Sequence, residues 1–111
     1  MELKLRKKED VYIIDVSGEM DLYNANQLKE LFGKMIDRDI RKYIVNMQDV
    51  SYIDSSGIGT LISLYSSAKE KRFSFFLANV QGTAKKVMEL TKLLGFFPIA
   101  KDIDDALAQM P

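Results

Sequence analysis

The 111-residue chain contains no cysteine and no histidine. Without cysteine there is no disulfide framework, no thiolate nucleophile and no thiolate-ligated zinc or iron–sulfur centre. Without histidine, Ser-His-Asp triads, Cys-His dyads and imidazole-ligated zinc are excluded within this chain. Proline is scarce at two residues, and glycine numbers six. With 47% hydrophobic and 29% charged residues, the composition reads as a packed globule rather than a disordered or low-complexity chain. Charge of one sign is lacking as well, since sixteen Lys and Arg balance sixteen Asp and Glu. The positive surplus that a nucleic-acid channel or a polybasic membrane patch requires is missing. The halves differ mildly: residues 1–55 carry 9 basic and 11 acidic side chains, and residues 56–111 carry 7 and 5. No run approaches the ~18 apolar residues of a membrane-crossing helix, and the first residues lack the apolar stretch of a signal peptide. The expectation is one cytoplasmic domain over residues 1–111, long enough to bury roughly two-thirds of the surface its unfolded form exposes.

What is present alternates between strand and helix patterns. Met1–Arg6 and the β-branched run Val11–Val16 read as strands, and the short polar turn Lys7–Asp10 makes them an antiparallel hairpin. Asn24–Asp37 has Ala25, Leu28, Leu31, Phe32, Met35 and Ile36 at helical spacing, with Asn24 and Gln27 placed as a capping box. Tyr43–Met47 reads as a third strand. From Ile58 a second helix brings Ile58, Leu61, Ile62, Tyr65 and Ala68 to one face. Phe73–Leu77 reads as a fourth strand. Thr83–Leu94 reads as a third helix, with Gly95 at its C′ position. Phe96–Ala100 is a fifth, edge strand because of Pro98. A last helix begins at Asp102, with Asp104 and Asp105 in its first turn. The order β-β-α-β-α-β-α-β-α predicts an α/β domain. Its five-stranded sheet is mostly parallel, with an antiparallel N-terminal edge strand and four helices.

In such a sheet, sites form where loops leave the carboxyl ends of the parallel strands. Those loops are Ser17–Tyr23, with Glu19 and Asp21; Gln48–Ser56, with Asp54, Ser55 and Ser56; and Asn79–Gly82. The hexapeptide Asp54-Ser55-Ser56-Gly57-Ile58-Gly59 is the most informative. Any of its first three residues can cap the helix that follows, with the glycines serving close packing on the sheet. Yet each Gly in a first turn costs up to ~1 kcal/mol against Ala, which points equally to something approaching the backbone there. A dinucleotide fingerprint fails because its third glycine falls on Ile62, and a P-loop fails because no Gly-Lys-Ser/Thr follows. A nucleophile elbow fails because Ile53 and Asp54 stand two residues before Ser55 and Ser56. Asp21 and Asp54 are either a pair for Mg²⁺ or two loop carboxylates that accept turn N–H groups. The tyrosines, Tyr12, Tyr23, Tyr43, Tyr52 and Tyr65, read as core or interface filler.

These residues resemble the anti-sigma factor antagonists, small bacterial proteins of the STAS fold. The resemblance lies in Gly18-Glu19-Met20-Asp21, in Val45-Asn46-Met47 leading through Val50-Ser51-Tyr52-Ile53 to Asp54-Ser55-Ser56-Gly57-Ile58-Gly59, and in the later Leu90…Leu94-Gly95-Phe96 segment. It covers nearly the whole chain. It implies a protein without catalytic activity or cofactor, which binds an anti-sigma factor that is also a serine kinase and so frees a sigma factor. The same resemblance puts the kinase's phosphoacceptor at Ser55, with Asp21 close to it, and implies a PP2C-type phosphatase that reverses the switch. The surface expected to meet the partner gathers Asp21, Asp54, Ser55, Ser56, Gly57, Ile58 and Asn79. Within it, Gly57 is expected to admit the partner's backbone and Gly59 to pack on the sheet, while the helix N–H groups are expected to solvate a phosphate on Ser55.

Three other readings remain at this stage. One is a scaffold STAS domain in a larger signalling or transport assembly. Another is a small Mg²⁺-dependent phosphoryl-transfer or nucleotide-binding protein that uses Asp21, Asp54 and Ser55. A receiver domain is disfavoured because the chain opens β-β and Ser-Ser-Gly follows Asp54.

Overall fold

Val11, Ile13, Ile14 and Val16 are all buried although they point to both sides of one strand. A strand of this kind has to be covered on both faces, so it lies inside the sheet. The computed structural model, which describes residues Met1–Pro111, has nine elements. They are β1 (Glu2–Lys8), β2 (Val11–Met20), α1 (Ala25–Asp37), β3 (Lys42–Ile53), α2 (Ser55–Glu70), β4 (Ser74–Ala78), α3 (Gly82–Leu90), β5 (Ile99–Ala100) and α4 (Ile103–Gln109). The sheet order is β1-β2-β3-β4-β5. β1 is antiparallel to β2, and the remaining pairs are parallel.

The order explains the layers. Each crossover from β2 to β5 moves one strand further in the same direction, and right-handed crossovers of that kind put all their helices on one face. Leu28, Phe32 and Met35 of α1, Leu61 and Leu64 of α2, and Ala84 and Met88 of α3 accordingly share one apolar cluster with Ile14, Val16, Val45 and Leu77. α4 returns across the opposite face, where Ala106 joins Val11, Ile13, Ile44, Ala78 and Ala100. Tyr43 is fully buried against Phe32 at 4.5 Å between ring centroids, and its hydroxyl has no partner. Burial pushes its phenol far up from the ordinary tyrosine value.

The fold class and the order of elements follow the sequence pattern; several boundaries do not. β2 continues to Met20 and β3 to Ile53, where the pattern ended them at Val16 and Met47. Register shifts between Asp15 and Ser17 and between Gly18 and Glu19 break the alternation that marks a strand. The capping box at Asn24 does not form, because Asn24 itself has helical backbone angles and its side chain makes no cap bond. α2 starts at Ser55 rather than Ile58. α3 stops at Leu90, so Gly95 is not its C′ residue. Lys92 takes the left-handed conformation instead, at φ +60°, and Leu93 N–H returns to the Met88 carbonyl at 2.8 Å. β5 shrinks to Ile99–Ala100, while Phe96 and Phe97 turn onto Tyr65 of α2, with centroids 5.5 and 6.1 Å away.

Candidate functional site

β4 ends at Ala78, opposite Asn46, but β3 runs seven residues further, to Ile53, and β2 accompanies it. β1 ends its pairing with Glu2 opposite Ser17, so beyond that point the ends of β2 and β3 stand as a two-stranded ribbon, pairing Gly18 with Val50, Glu19 with Tyr52 and Met20 with Ile53. α2 starts directly from its tip. Asp54 keeps an extended backbone and caps the helix: its Oδ1 accepts from Ser56 N–H at 2.9 Å and Gly57 N–H at 3.1 Å. Ser55 is the first helical residue and is exposed; Ser56 is half-buried.

The helix is clamped to the ribbon by its glycine. A Cβ built on Gly57 would lie deep inside van der Waals contact with the Met20 carbonyl oxygen, 2.6 Å from Ile53 Cγ1 and 2.9 Å from Met20 Cβ. Nothing lies within 4 Å of a Cβ built on Gly59, which is exposed. The packing role expected of Gly59 thus falls to Gly57 instead. Residues two apart on a helix point about 200° from each other, so Gly57 meets this chain's own β2 and Gly59 faces solvent. Ile58 is also corrected as a contact residue: it is 5% exposed and belongs to the core.

Asp21 occupies the neighbouring corner. Its Oδ1 accepts from Tyr23 N–H and Asn24 N–H, both at 3.0 Å, and its carbonyl accepts from Ala25 N–H at 2.9 Å. It holds the turn into α1, the part that Asn24 was expected to play. Asp21 and Asp54 each spend a carboxylate oxygen on backbone N–H groups, as turn and cap acceptors do. No group of three or more acidic side chains is arranged to hold a metal ion.

Around these residues lie side chains whose position the sequence pattern did not signal. Leu22 and Tyr23 are 69% and 85% exposed in the turn after β2, and Tyr52 is 45% exposed on the ribbon. Of the five tyrosines, Tyr43 is core, whereas Tyr23 and Tyr52 belong to the surface of this edge. An adjacent Leu-Tyr pair between a turn aspartate and a helix start is the signal that was available. The segments Ser17–Tyr23, Gln48–Ser56 and Asn79–Gly82 contain Glu19, Asp21, Asp49 and Asp54 and no Lys or Arg. The edge therefore combines apolar side chains with negative charge. None of the larger grooves is lined by Asp21, Asp54 or Ser55; one of about 460 Å³, for example, runs between Lys29–Asp37 of α1 and Ser63–Glu70 of α2.

Asn79 is turned inward. Its Nδ2 donates to Asn46 Oδ1 at 2.8 Å, Asn46 Nδ2 donates to Asp15 Oδ1 at 2.8 Å, and Asp15 is held by Arg6 through Nε at 2.6 Å and Nη2 at 2.8 Å. Asn46 is the one buried polar side chain, and its oxygen also accepts from Gln48 N–H at 3.2 Å. The chain of bonds crosses from β1 to the loop after β4 and holds that loop, in which Asn79 has φ +57°, against the sheet. Partial burial pushes the Asp15 carboxyl up. The bonds from Arg6 and Asn46, with the charges of Arg6 and Lys4, outweigh it and hold the carboxyl below its ordinary value. A carboxyl lowered in this way contributes stability that is complete above its unfolded value, about 3.9, and is lost as pH falls through the folded one. Arg6→Ala is expected to lower the melting temperature near neutral pH, and the gap to wild type is expected to close below about pH 4. Thermal melts across that range check this; a gap that ignores pH would mean that Arg6 stabilises by packing alone.

With this geometry in view, the comparisons with known proteins are specific. Residues 2–106 match the family model for the STAS domain. An anti-sigma-B factor antagonist of Staphylococcus aureus is 25% identical over 93 residues, covering 84% of this chain and 86% of that one. Among solved structures, a putative anti-sigma factor antagonist from Thermotoga maritima superposes with a TM-score of 0.89 at 23% identity, covering 96% of this chain and 92% of that chain. The Bacillus cell fate determinant SpoIIAA in its phosphorylated form gives a TM-score of 0.74 at 21% identity, over 97% of this chain and 98% of that chain. At these identities the structural likeness establishes the fold. The family match runs from β1 into α4 and takes in the whole ribbon and the start of α2, so this chain is a member of the STAS domain family.

Proposed function

We propose that the protein is an anti-sigma factor antagonist, switched off by phosphorylation of Ser55. In this reading the ribbon tip and the start of α2 dock on an anti-sigma factor that is also a serine kinase, and docking frees the sigma factor. The kinase then modifies Ser55, and a PP2C-type phosphatase restores it, all in the cytoplasm. The observation that carries the reading is the exposure of Ser55 in the first turn of a helix clamped to β2. A hydroxyl held outward on a fixed support is accessible to a second protein's active site. The surface is raised, bears Leu22, Tyr23 and Tyr52, and is not the concave pocket that small-molecule chemistry favours. The curated relative's name, anti-sigma-B factor antagonist, and the phosphorylated form of SpoIIAA among the similar structures support it.

The test uses a serine-kinase anti-sigma factor from the same cell with labelled ATP. The expected result is a single phosphate on wild type, the same on Ser56→Ala, and none on Ser55→Ala. Label that persists in Ser55→Ala would remove the assignment, and no label on any form would favour a scaffold role.

A further inference from the structure

The first turn of α2 has committed three of its four N–H donors, and only that of Ser55 has no acceptor. Asp54 Oδ1 takes the N–H groups of Ser56 and Gly57 at 2.9 and 3.1 Å, and the Ile58 N–H goes to the Asp54 carbonyl at 3.0 Å. Of the helix N–H groups expected to solvate a phosphate on Ser55, only that of Ser55 itself is free. One N–H does not satisfy three phosphate oxygens, so the phosphate competes for the Ser56 and Gly57 amides as well, because the N-terminal turn of a helix attracts anions. The helix is not free to shift away from the contest. Gly57 is pressed on the carbonyl and side chain of Met20, and Asp54 N–H donates to the same Met20 carbonyl at 3.2 Å. Nor do the neighbouring segments bring a cation to either anion, since Ser17–Tyr23, Gln48–Ser56 and Asn79–Gly82 contain no Lys or Arg. One set of donors faces two acceptors, and the backbone that carries the donors is fixed.

We propose that phosphorylation of Ser55 unseats the Asp54 side chain from the start of α2. The phosphate becomes the cap, and the Asp54 carboxylate turns out toward solvent at the docking edge. The phosphate wins because it carries a charge of about −1.5 to −2 and three acceptor oxygens, against the single charge of a carboxylate. The inference rests on Ser55 being the phosphoacceptor and adds the route by which the modification acts. Helix and fold stay intact, and the edge that meets the partner gains a displayed carboxylate beside the phosphate that now caps the helix. Asp54 is then a positioning residue, needed as a cap only while Ser55 is unmodified.

The experiment is a thermodynamic cycle on four proteins that need no kinase, because phosphoserine is installed at position 55 by genetic encoding. Each form of residue 55, serine or phosphoserine, is made with Asp54 and with Asp54→Ala. In the serine pair Asp54→Ala is expected to lower the melting temperature by roughly 4–8 °C, the loss of one helix cap in a domain near this size. In the phosphoserine pair the loss is expected to fall below roughly 2 °C, because the cap is no longer Asp54. Equal losses in the two pairs would overturn the proposal. A second measurement needs no substitution of Asp54. On modification of the wild-type sequence, the carboxyl carbon resonance of Asp54 and the amide resonances of Ser56 and Gly57 are expected to move together. An Asp54 carboxyl resonance left in place by phosphorylation would overturn the proposal equally. A kinase that ignores Ser55 would remove the functional reading and leave the outcome of this cycle standing on its own.

Discussion

Gly57→Ala is expected to cost roughly 3 kcal/mol of stability, the upper part of the range for forcing a methyl group into a packed site. The added carbon would overlap the Met20 carbonyl oxygen, which is backbone and cannot rotate aside, and would crowd Ile53 Cγ1 and Met20 Cβ as well. To relieve the overlap, α2 has to lift from β2, which disturbs the pairing of Met20 with Ile53 and the bond from Asp54 N–H to Met20. In a domain of this length the melting temperature should fall by at least ~10 °C. Gly59→Ala makes the contrast. Its side chain meets nothing, and replacing an exposed helical glycine gains about 0.5–1 kcal/mol. Paired thermal melts of the two variants decide the matter. A Gly57→Ala protein as stable as wild type would mean that the ribbon and α2 are not locked together.

Ser55→Asp is expected to weaken binding to the anti-sigma partner at least tenfold, or about 1.4 kcal/mol, while far-UV circular dichroism stays unchanged. The fold tolerates the substitution because Ser55 is exposed and an acidic group suits the first turn of a helix. Binding suffers because the new carboxylate joins an edge that already holds Glu19, Asp21, Asp49 and Asp54, and docking would strip its water while these segments supply no Lys or Arg to pair with it. Leaving a charge buried and unpaired at an interface costs roughly 2–5 kcal/mol, so a hundredfold effect is within range. A titration by calorimetry measures it. An unchanged affinity would mean that the partner binds elsewhere on the domain.

The sequence pattern made the helix-bearing core plain. Ala25, Leu28, Phe32 and Met35 fall at helical spacing, and they are the residues α1 buries. Alternation of strands with helices was enough for the parallel sheet. The candidate phosphoacceptor came from the resemblance to the anti-sigma factor antagonists, because Asp-Ser-Ser-Gly at a strand end reads by itself as a helix cap. What failed was information that depends on bends and on neighbours distant in sequence. Val50 and Ile53 are buried while both residues between them face outward, so the end of β3 looked like a loop. The outward course of Leu22 and Tyr23 depends on Asp21 holding the turn, a bond between backbone and side chain that no periodicity reports. The two glycines differ in the angle they take around the helix, which linear sequence does not report, and that angle decides which one touches β2. Asn79 looked like a surface amide because Asn46, its partner, stands 33 residues away.

The sheet order has a kinetic consequence. In the order β1-β2-β3-β4-β5 every strand pairs with the strand synthesised just before it. No strand has to be inserted between two that have already met, which in many parallel sheets demands closure of a long loop. The β1–β2 hairpin can form from the first twenty residues, and α1 with β3 then adds the first parallel pair on its open side. Each later helix and strand extends a surface that exists by then. Contacts stay local for a parallel fold, which favours rapid folding, and the chain is suited to assemble from its N-terminus as it leaves the ribosome. The ribbon tip and the start of α2 precede α3, β5 and α4 in the chain, so the candidate site is built from elements in the N-terminal part of that order.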